Sequence, residues 1–256
     1  MNYIWQSLTK ALVMANMENK KLLRDPMVLV SRSIQPALWL GIFGQAMSRT
    51  RAIPTDGCTY LQFITPGILT QSVVFIAIFY GLSVIWEKDL GILQKFLITP
   101  TPRLALVWGK MLASGTRGLC QVAIVFIFAL LLGIELRMDL FVFFCTIIIV
   151  LLGSAFFTGL SMVMASIVKT RERFMGIGQA ITLPLFFASN AIYPISIMPS
   201  WLQIVAKVNP LSYMVDGLRA LLISGNYSSL ALDIMVLLSA ALLMSVLSAK
   251  MYARVV

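Results

Sequence analysis

The sequence predicts an all-α integral membrane protein with six transmembrane helices. Of its 256 residues, 59% are hydrophobic and only 12% are charged, compared with about 45–50% and about 25% in soluble domains. A chain of this length cannot bury that much apolar surface in a soluble core. Six windows without charged residues supply the membrane helices: 33–48, 57–86, 118–134, 140–168, 174–206 and 234–249.

A helix needs about 20 apolar residues to cross about 30 Å of hydrocarbon. The first, third and sixth windows are shorter, but the side chains of Arg32, Arg117 and Lys250 can extend them by reaching the head groups. The fifth window is long and contains prolines, so we expect its span to end near Tyr193. The result is a single transmembrane domain, 1–256, with spans at 28–48, 60–86, 112–134, 139–168, 174–193 and 230–252.

The first 25 residues form an amphipathic pattern that precedes these spans. Residues 1–25 are predicted to form an interfacial helix whose lysines meet anionic membrane lipids, although an ordinary soluble amphipathic helix is an alternative. The segment lacks the features of a signal peptide, so we expect it to remain on the mature protein. Its apolar residues recur at helical spacing: Ile4, Trp5, Leu8, Ala11, Leu12, Ala15, Leu22 and Leu23.

The distribution of basic residues predicts the orientation of the chain. With a cytoplasmic N-terminus, fifteen of the 20 basic residues lie on the cytoplasmic side, as the positive-inside rule requires. Both termini are then cytoplasmic. This asymmetry also accounts for the net charge of +10, so no nucleic-acid partner is expected. The five basic residues on the outer side are Arg49, Arg51, Arg137, Lys207 and Arg219.

Residues that carry enzyme chemistry are scarce. The chain has no histidine and only three cysteines without a pairing pattern, so we expect no metal site and no cofactor. It also lacks a GxxxxGK[ST] phosphate-binding loop, because Gly109-Lys110 is followed by Met111. We therefore expect a protein that is not an enzyme, with any ATPase on a separate chain. The lack of charged residues within the spans also argues against an ion-coupled transporter.

The cytoplasmic loop from Trp86 to Met111 is predicted to contain a short amphipathic helix at 88–98. Asp89 can cap this helix, and Pro100 and Pro102 end it. The helix either binds a cytoplasmic partner or packs against the protein's own spans. Its apolar stripe consists of Ile92, Leu93, Phe96 and Leu97.

The segment 194–224 combines prolines with polar residues in an apolar chain. Such a segment can remain at membrane depth only where protein or water satisfies its backbone. We expect Pro194 and Pro199 to interrupt the fifth helix, Asn209-Pro210 to separate two short helices, and Trp201 and Tyr213 to lie at the interface. Asp216 and Arg219 are three residues apart and can pair. The pair either ties the segment together or contacts a substrate.

Two motifs in these segments resemble the ABC type-2 exporter permeases, above all those of the daunorubicin-resistance and nodulation-factor exporters. The first is Glu87-Lys88-Asp89-Leu90-Gly91-Ile92-Leu93 followed by Thr99-Pro100 and Arg103. The second is Tyr193-Pro194, Met198-Pro199-Ser200-Trp201-Leu202, Asn209-Pro210-Leu211-Ser212-Tyr213 and Asp216-Gly217-Leu218-Arg219, similar to the family's P…LPxWL…NPLTY.VD.LR. The chain departs from the family pattern at Met198 and Ile98, neither of which is a charged position.

The resemblance implies an elbow helix at 1–25, a coupling helix at 88–98 and a re-entrant helical pair at 194–224 that acts as an outer gate. The second and fifth spans would line the translocation path, at Gln71, Ser72, Ser189 and Asn190. The partners would be two ATPase subunits, which bind ATP and Mg²⁺, and a second copy of this chain. Contact with the ATPase is expected at Glu87, Asp89, Gly91, Leu93, Phe96, Leu97 and Pro100.

These features predict the membrane subunit of an ATP-driven exporter in the inner membrane of a cell or an equivalent organelle membrane. The expected substrate is hydrophobic or amphipathic, such as a drug, a lipid or a lipid-like molecule. An exporter of lipid-linked glycans is an alternative within the class. An ion-driven transporter or channel, and a membrane scaffold, are alternatives from other classes.

Overall fold

The computed structural model describes residues 2–50, 57–92, 101–168 and 170–251, without the side chains of residues 2–6 and 50. All regular structure in these ranges is helical, in agreement with the predicted fold class. The α-helices are α1 (Asn2–Arg24), α2 (Met27–Leu38), α3 (Gln45–Thr50), α4 (Tyr60–Tyr80), α5 (Leu82–Asp89), α6 (Arg103–Leu131), α7 (Leu140–Ile167), α8 (Arg171–Phe187), α9 (Ser200–Val208), α10 (Pro210–Arg219) and α11 (Leu230–Met251). Two π-helical segments, Trp39–Gly44 and Ala220–Ser224, and a 3₁₀ turn, Ile195–Ile197, connect some of them.

Five helical segments of the described chain are long and apolar enough to cross a membrane: Met27–Arg49, Tyr60–Asp89, Arg103–Leu131, Leu140–Ile167 and Leu230–Met251. They correspond to the first four predicted spans and the sixth. The third starts at Arg103 rather than at residue 112, because Leu106 and Val107 extend the helix by packing into an apolar cluster with Val84 and Ile85.

The fifth predicted span corresponds to α8, which is shorter than expected. It has 17 residues, a length of about 26 Å at 1.5 Å per residue, against about 30 Å of hydrocarbon. It ends at Phe187 instead of near Tyr193. The count of six spans therefore stays a prediction.

Helix α4 lies at the centre of the fold. Nearly all of its residues between Phe63 and Ile78 are buried, and it packs against α2, α6, α7, α8 and α10. The surrounding helices bury one face and expose large apolar side chains on the other, including Leu131, Phe144 and Leu243. Exposed apolar surface of this extent is typical of a surface that contacts lipid.

The predicted N-terminal helix is present as α1, and it packs along α6. Ala11 and Ala15 are buried in this contact, whereas Leu12 is exposed. The helices approach so closely at Gly109 that a Cβ there would lie 2.6 Å from Cβ of Met14. The protein itself thus covers part of the apolar face of α1, and the location of this helix at the membrane interface stays a prediction.

The segment after α8 corrects one prediction. Pro194 and Pro199 do not interrupt a helix, because α8 has already ended at Phe187. Just after this end, Ser189 donates its hydroxyl to the carbonyl of Phe186 at 2.7 Å, a local hydrogen bond of the kind that competes with helical pairing. The next turn touches α4, where a Cβ on Gly67 would lie 2.8 Å from Cα of Ala191.

The two short helices predicted in the outer segment are present as α9 and α10. Asn209 separates them: its side chain accepts a hydrogen bond from the backbone N–H of Leu211 at 3.0 Å and donates to the carbonyl of Leu185 at 2.7 Å. Pro210 occupies the first position of α10, where its missing N–H has no cost. Helix α10 is largely buried, whereas α9 is exposed along much of its surface.

Candidate functional site

Five charged residues meet where α1, α5 and α6 come together, at the predicted cytoplasmic end of the fold. We call this group, Glu18, Lys21, Glu87, Lys110 and Arg117, the inner charge cluster. Nζ of Lys110 lies 2.8 Å from Oε1 of Glu87, and Nζ of Lys21 lies 2.6 Å from Oε1 of Glu18. Lys21 is also 3.8 Å from Glu87, and Arg117 is 3.5 Å from Glu18. The cluster links the N-terminal helix to the helix that leads into the predicted coupling loop.

Burial makes the inner charge cluster energetically important. The side chain of Lys110 is 0% exposed and that of Glu87 is 6% exposed, so each needs the other to compensate for lost hydration. Burial acts to raise the pKa of Glu18, but the charges of Lys110 and Lys21 outweigh it and hold this pKa below its ordinary value. The carboxylate therefore stays ionised at neutral pH.

Sequence analysis did not identify this cluster as a site. It assigned Lys110 and Arg117 to the basic residues of the cytoplasmic side and gave Glu18 no role. One signal was available: Glu18 is the only carboxylate among the first 24 residues, which include four basic residues. Such a residue is a candidate for a specific ion pair, but its partners cannot be read from spacing.

Three of the residues predicted to contact an ATPase lie in the described chain. Glu87 is buried in the inner charge cluster, so its carboxylate contacts Lys110 in this structure. Asp89 is exposed at the C-terminal end of α5, not at the start of a helix as predicted. Gly91 then reverses the chain with φ of +69°, which favours glycine. Leu93, Phe96, Leu97 and Pro100 lie outside the described residues.

Asp89 joins the end of α5 to the start of α8. Nη2 and Nε of Arg171 lie 2.7 and 3.0 Å from the same carboxylate oxygen. The guanidinium group of Arg171 also stacks on the ring of Trp86, 3.9 Å from its centroid. The beginning of the predicted coupling loop is thus bound directly to α8.

A second polar group lies at the opposite, predicted outer end of α4. Arg219 donates to the carbonyls of Asn190 at 2.7 Å and Phe63 at 3.3 Å, and its guanidinium lies 4.0 Å from the centroid of the Phe63 ring. Asp216 accepts a hydrogen bond from the amide of Asn190 and lies 3.6 Å from Nη1 of Arg219. The predicted Asp216–Arg219 pair is therefore present, and it ties α10 to α4 and to the end of α8. We call Asn190, Asp216 and Arg219, together with Phe63, the outer polar cluster.

Other residues predicted for the outer gate lie in α9 and α10 or in the segment directly before α9. Tyr213 donates its hydroxyl to the carbonyl of Lys207 at 2.6 Å, which joins α10 to the end of α9. Trp201 is exposed on α9. Pro194 precedes the 3₁₀ turn and Pro199 precedes α9. The Tyr213 hydrogen bond therefore helps to set the angle between the two short helices.

The structure does not bring the four predicted path residues together. Gln71 and Ser72 lie near the middle of α4, beside a cavity shared with α2. Ser189 and Asn190 lie in the turn after α8, at the predicted outer end. Asn190 belongs to the outer polar cluster, where it bonds to Asp216. Gln71 and Ser72 both line this cavity between α2 and α4.

Comparison with known proteins identifies the family. A family model described as "ABC-2 type transporter" matches residues 9–223. The chain belongs to the ABC-2 type transporter family. A putative transport permease, ycf38, of Cyanophora paradoxa is 31% identical over 205 residues, which cover 78% of this chain and 70% of that protein. A daunorubicin resistance ABC transporter permease, DrrB1, of Streptomyces coeruleorubidus is 28% identical over 203 residues, 77% and 69% of the two chains.

A third relative carries a location in its name. The inner membrane transport permease YadH of Escherichia coli K12 is 24% identical over 197 residues, 75% of this chain and 73% of YadH. The predicted resemblance is therefore confirmed, and the chain is an integral membrane permease. In residues 2–50, 57–92, 101–168 and 170–251, no group of three or more histidine, cysteine, aspartate or glutamate residues is placed to hold a metal ion.

Proposed function

We propose that this ABC-2 permease exports a hydrophobic or amphipathic molecule from the cytoplasm or the inner leaflet, using ATP hydrolysed by a separate subunit. Two copies would form the path, and two ATPase subunits would bind ATP and Mg²⁺ beneath them. The drug-resistance permease among its relatives supports export. An inner membrane location with both termini in the cytoplasm agrees with the name of YadH and with the distribution of basic residues.

The link between Asp89 and Arg171 is the observation on which the coupling proposal rests. An ATPase that moves the loop after Asp89 pulls on α8 through this ion pair and through the stacking of Arg171 on Trp86. The same movement reaches α6 through the Glu87–Lys110 pair and α1 through the Glu87–Lys21 pair. Glu87 therefore contributes to coupling through its buried partner rather than by touching the ATPase.

We assign the role of outer gate to the helical pair α9–α10. Helix α10 is buried against α4, α7 and α11, and the outer polar cluster attaches it to the end of α8. A gate shifts the equilibrium between two conformations regardless of which molecule is carried. Its substitutions should therefore affect all substrates in parallel, whereas substitutions in a substrate-binding site should affect them selectively.

The proposal is tested by co-purification and transport. Phe96→Asp or Leu93→Asp should release the ATPase, since an unpaired carboxylate in an apolar docking groove costs several kcal/mol. The matched control is Tyr227→Asp, which places the same carboxylate on the predicted outer side. Normal ATPase stoichiometry and ATP-dependent transport in Phe96→Asp vesicles would contradict the docking assignment. Transport driven by a proton gradient without ATP would favour the ion-driven alternative.

Orientation is tested separately with single cysteines in a cysteine-free background. Cysteines at Thr55 and Ser228 should react with an impermeant reagent from outside. Those at Thr101 and Thr170 should react only after permeabilisation. Labelling of Thr101→Cys in intact cells would reverse the proposed topology and place the coupling loop on the wrong side of the membrane for an ATPase.

A further inference from the structure

A cavity of about 350 Å³ lies between α2 and α4. Arg32 and Gln35 line it from α2, and Gln71, Phe75 and Phe79 line it from α4. Gln71 is buried, and its amide makes no hydrogen bond within the described chain. The rings of Phe75 and Phe79 are stacked, with centroids 5.9 Å apart and planes 14° apart. The cavity thus combines one cation, free amide groups and an aromatic wall.

Arg32 has no ion pair and no hydrogen bond among the residues that the structure describes. Arg32 contacts the ring of Phe79, and its guanidinium lies 5.7 Å from the ring centroid. Arg117, which lines an adjoining cavity of about 100 Å³ together with Arg32, instead has Glu18 as its partner. Arg32 lies near the start of the Met27–Arg49 segment, where a long basic side chain can extend to the head groups. A guanidinium there without a protein counter-ion can pair with an anionic ligand.

We propose that this cavity binds an anionic amphiphile, with its phosphate or similar anionic group on Arg32. A guanidinium can donate two parallel hydrogen bonds to such a group, and the amides of Gln35 and Gln71 can donate to its remaining oxygens. The stacked rings of Phe75 and Phe79 accommodate the apolar body. The inference rests on the proposed function in treating the cavity as part of an export route, and it narrows the substrate class to anionic amphiphiles.

The same chemistry has two sources, which the test separates. One is an anionic phospholipid that enters from the inner leaflet; the other is a single-chain anionic amphiphile that enters from the cytoplasm. The first probe is fluorescent phosphatidylglycerol in nanodiscs of phosphatidylcholine, with fluorescent phosphatidylcholine as the neutral reference. The second is dodecyl phosphate added to protein in dodecyl maltoside, measured by calorimetry. Binding is measured on the full chain without ATP or ATPase.

Arg32→Gln should weaken binding of at least one phosphate probe by about tenfold or more, since hydrogen bonds to a charged group are stronger than neutral ones. Binding of phosphatidylcholine should change less than about twofold. Arg32→Lys, which keeps the charge, should lie between the wild type and Arg32→Gln. The control Arg173→Gln removes an exposed cation from the predicted cytoplasmic end of α8. It should leave the binding of all three probes unchanged. Because Arg32 is exposed in the single chain, the variants should fold normally, which thermal unfolding checks.

The outcomes identify the source or overturn the inference. Loss confined to phosphatidylglycerol identifies a membrane lipid, and loss confined to dodecyl phosphate identifies a cytoplasmic amphiphile. The inference is overturned if Arg32→Gln and Arg173→Gln weaken binding equally, or if Arg32→Gln weakens the binding of phosphatidylglycerol and phosphatidylcholine equally. Either result leaves the proposed exporter function untouched. If no ATPase associates with the chain although binding depends on Arg32, the exporter function fails while the binding site remains.

Discussion

Lys110→Met is the substitution for which the structure gives the sharpest expectation. The side chain of Lys110 is fully buried, and its ammonium group lies 2.8 Å from Oε1 of Glu87. Methionine fills a similar volume without the charge. The carboxylate of Glu87 then remains buried, and Lys21, 3.8 Å away, is the nearest remaining cation. The change should destabilise the junction of α1, α5 and α6.

The magnitude follows from the burial of the pair. Removing one partner of a buried ion pair costs about 3–5 kcal/mol. Lys21 continues to compensate part of the charge of Glu87, so we expect a loss near the lower limit, about 3 kcal/mol. For a chain of this size, about 2–4 °C per kcal/mol converts this loss to a fall of about 6–12 °C in the thermal midpoint.

The assay is thermal unfolding of the purified permease in detergent. The double variant Lys110→Met/Glu87→Leu should cost much less than the sum of the two single changes, because it leaves neither charge without its partner. The control is Lys250→Met, which removes an exposed cation at the end of α11. If Lys110→Met lowers the midpoint no more than Lys250→Met does, the pair does not stabilise the junction and the reasoning is refuted.

Three further predictions concern other contacts. Arg171→Ala removes the ion pair at the start of α8. It should lower the transport per ATP hydrolysed in vesicles by severalfold, while the ATPase stoichiometry is retained. Unchanged transport would exclude this ion pair from coupling. Arg219→Ala should lower the thermal midpoint more than Asp216→Ala, because it deprives two carbonyls of a donor at about 1–3 kcal/mol each. Arg219→Ala should also alter the export of every substrate in parallel. Loss of export for one substrate alone would indicate a binding site. Gly67→Ala should destabilise the protein by about 1–3 kcal/mol through overpacking against Ala191. Gly176→Ala should not, because a Cβ there meets no atom within 4 Å. Equal thermal midpoints for the two variants would contradict the close approach of the turn after α8 to Gly67.

The sequence predicts the helices well because the cues for them are local. Windows without charges locate the five long apolar helices, and the chemistry of Asn209-Pro210 locates the boundary between α9 and α10. The early end of α8 was not predicted, since it depends on the side chain of Ser189 and on the contact of the following turn with α4. Pro184 lies within the last turn of α8, so it does not mark the residue at which the helix ends.

The candidate sites were predicted less completely because their contacts join residues distant in sequence. The Asp216–Arg219 pair was predicted, because its members are three residues apart on one helix. The contacts between Glu87 and Lys110, and between Asp89 and Arg171, require the helices to be assembled first. Charge counting placed Lys110 among residues facing the cytoplasm, although its side chain is buried.

The attachment of α8 at both ends has a mechanical consequence. Arg171 joins the N-terminal end of α8 to α5, and the turn after Phe187 is joined to α4 through Arg219. Between them, α8 passes close to α4 at Gly178, where a Cβ would lie 3.5 Å from the side chain of Ile78. Helix α8 is therefore held at both ends and contacts α4 near its midpoint. A displacement that starts at one end strains the contacts at the other end, so we expect α8 to move as a single rigid unit.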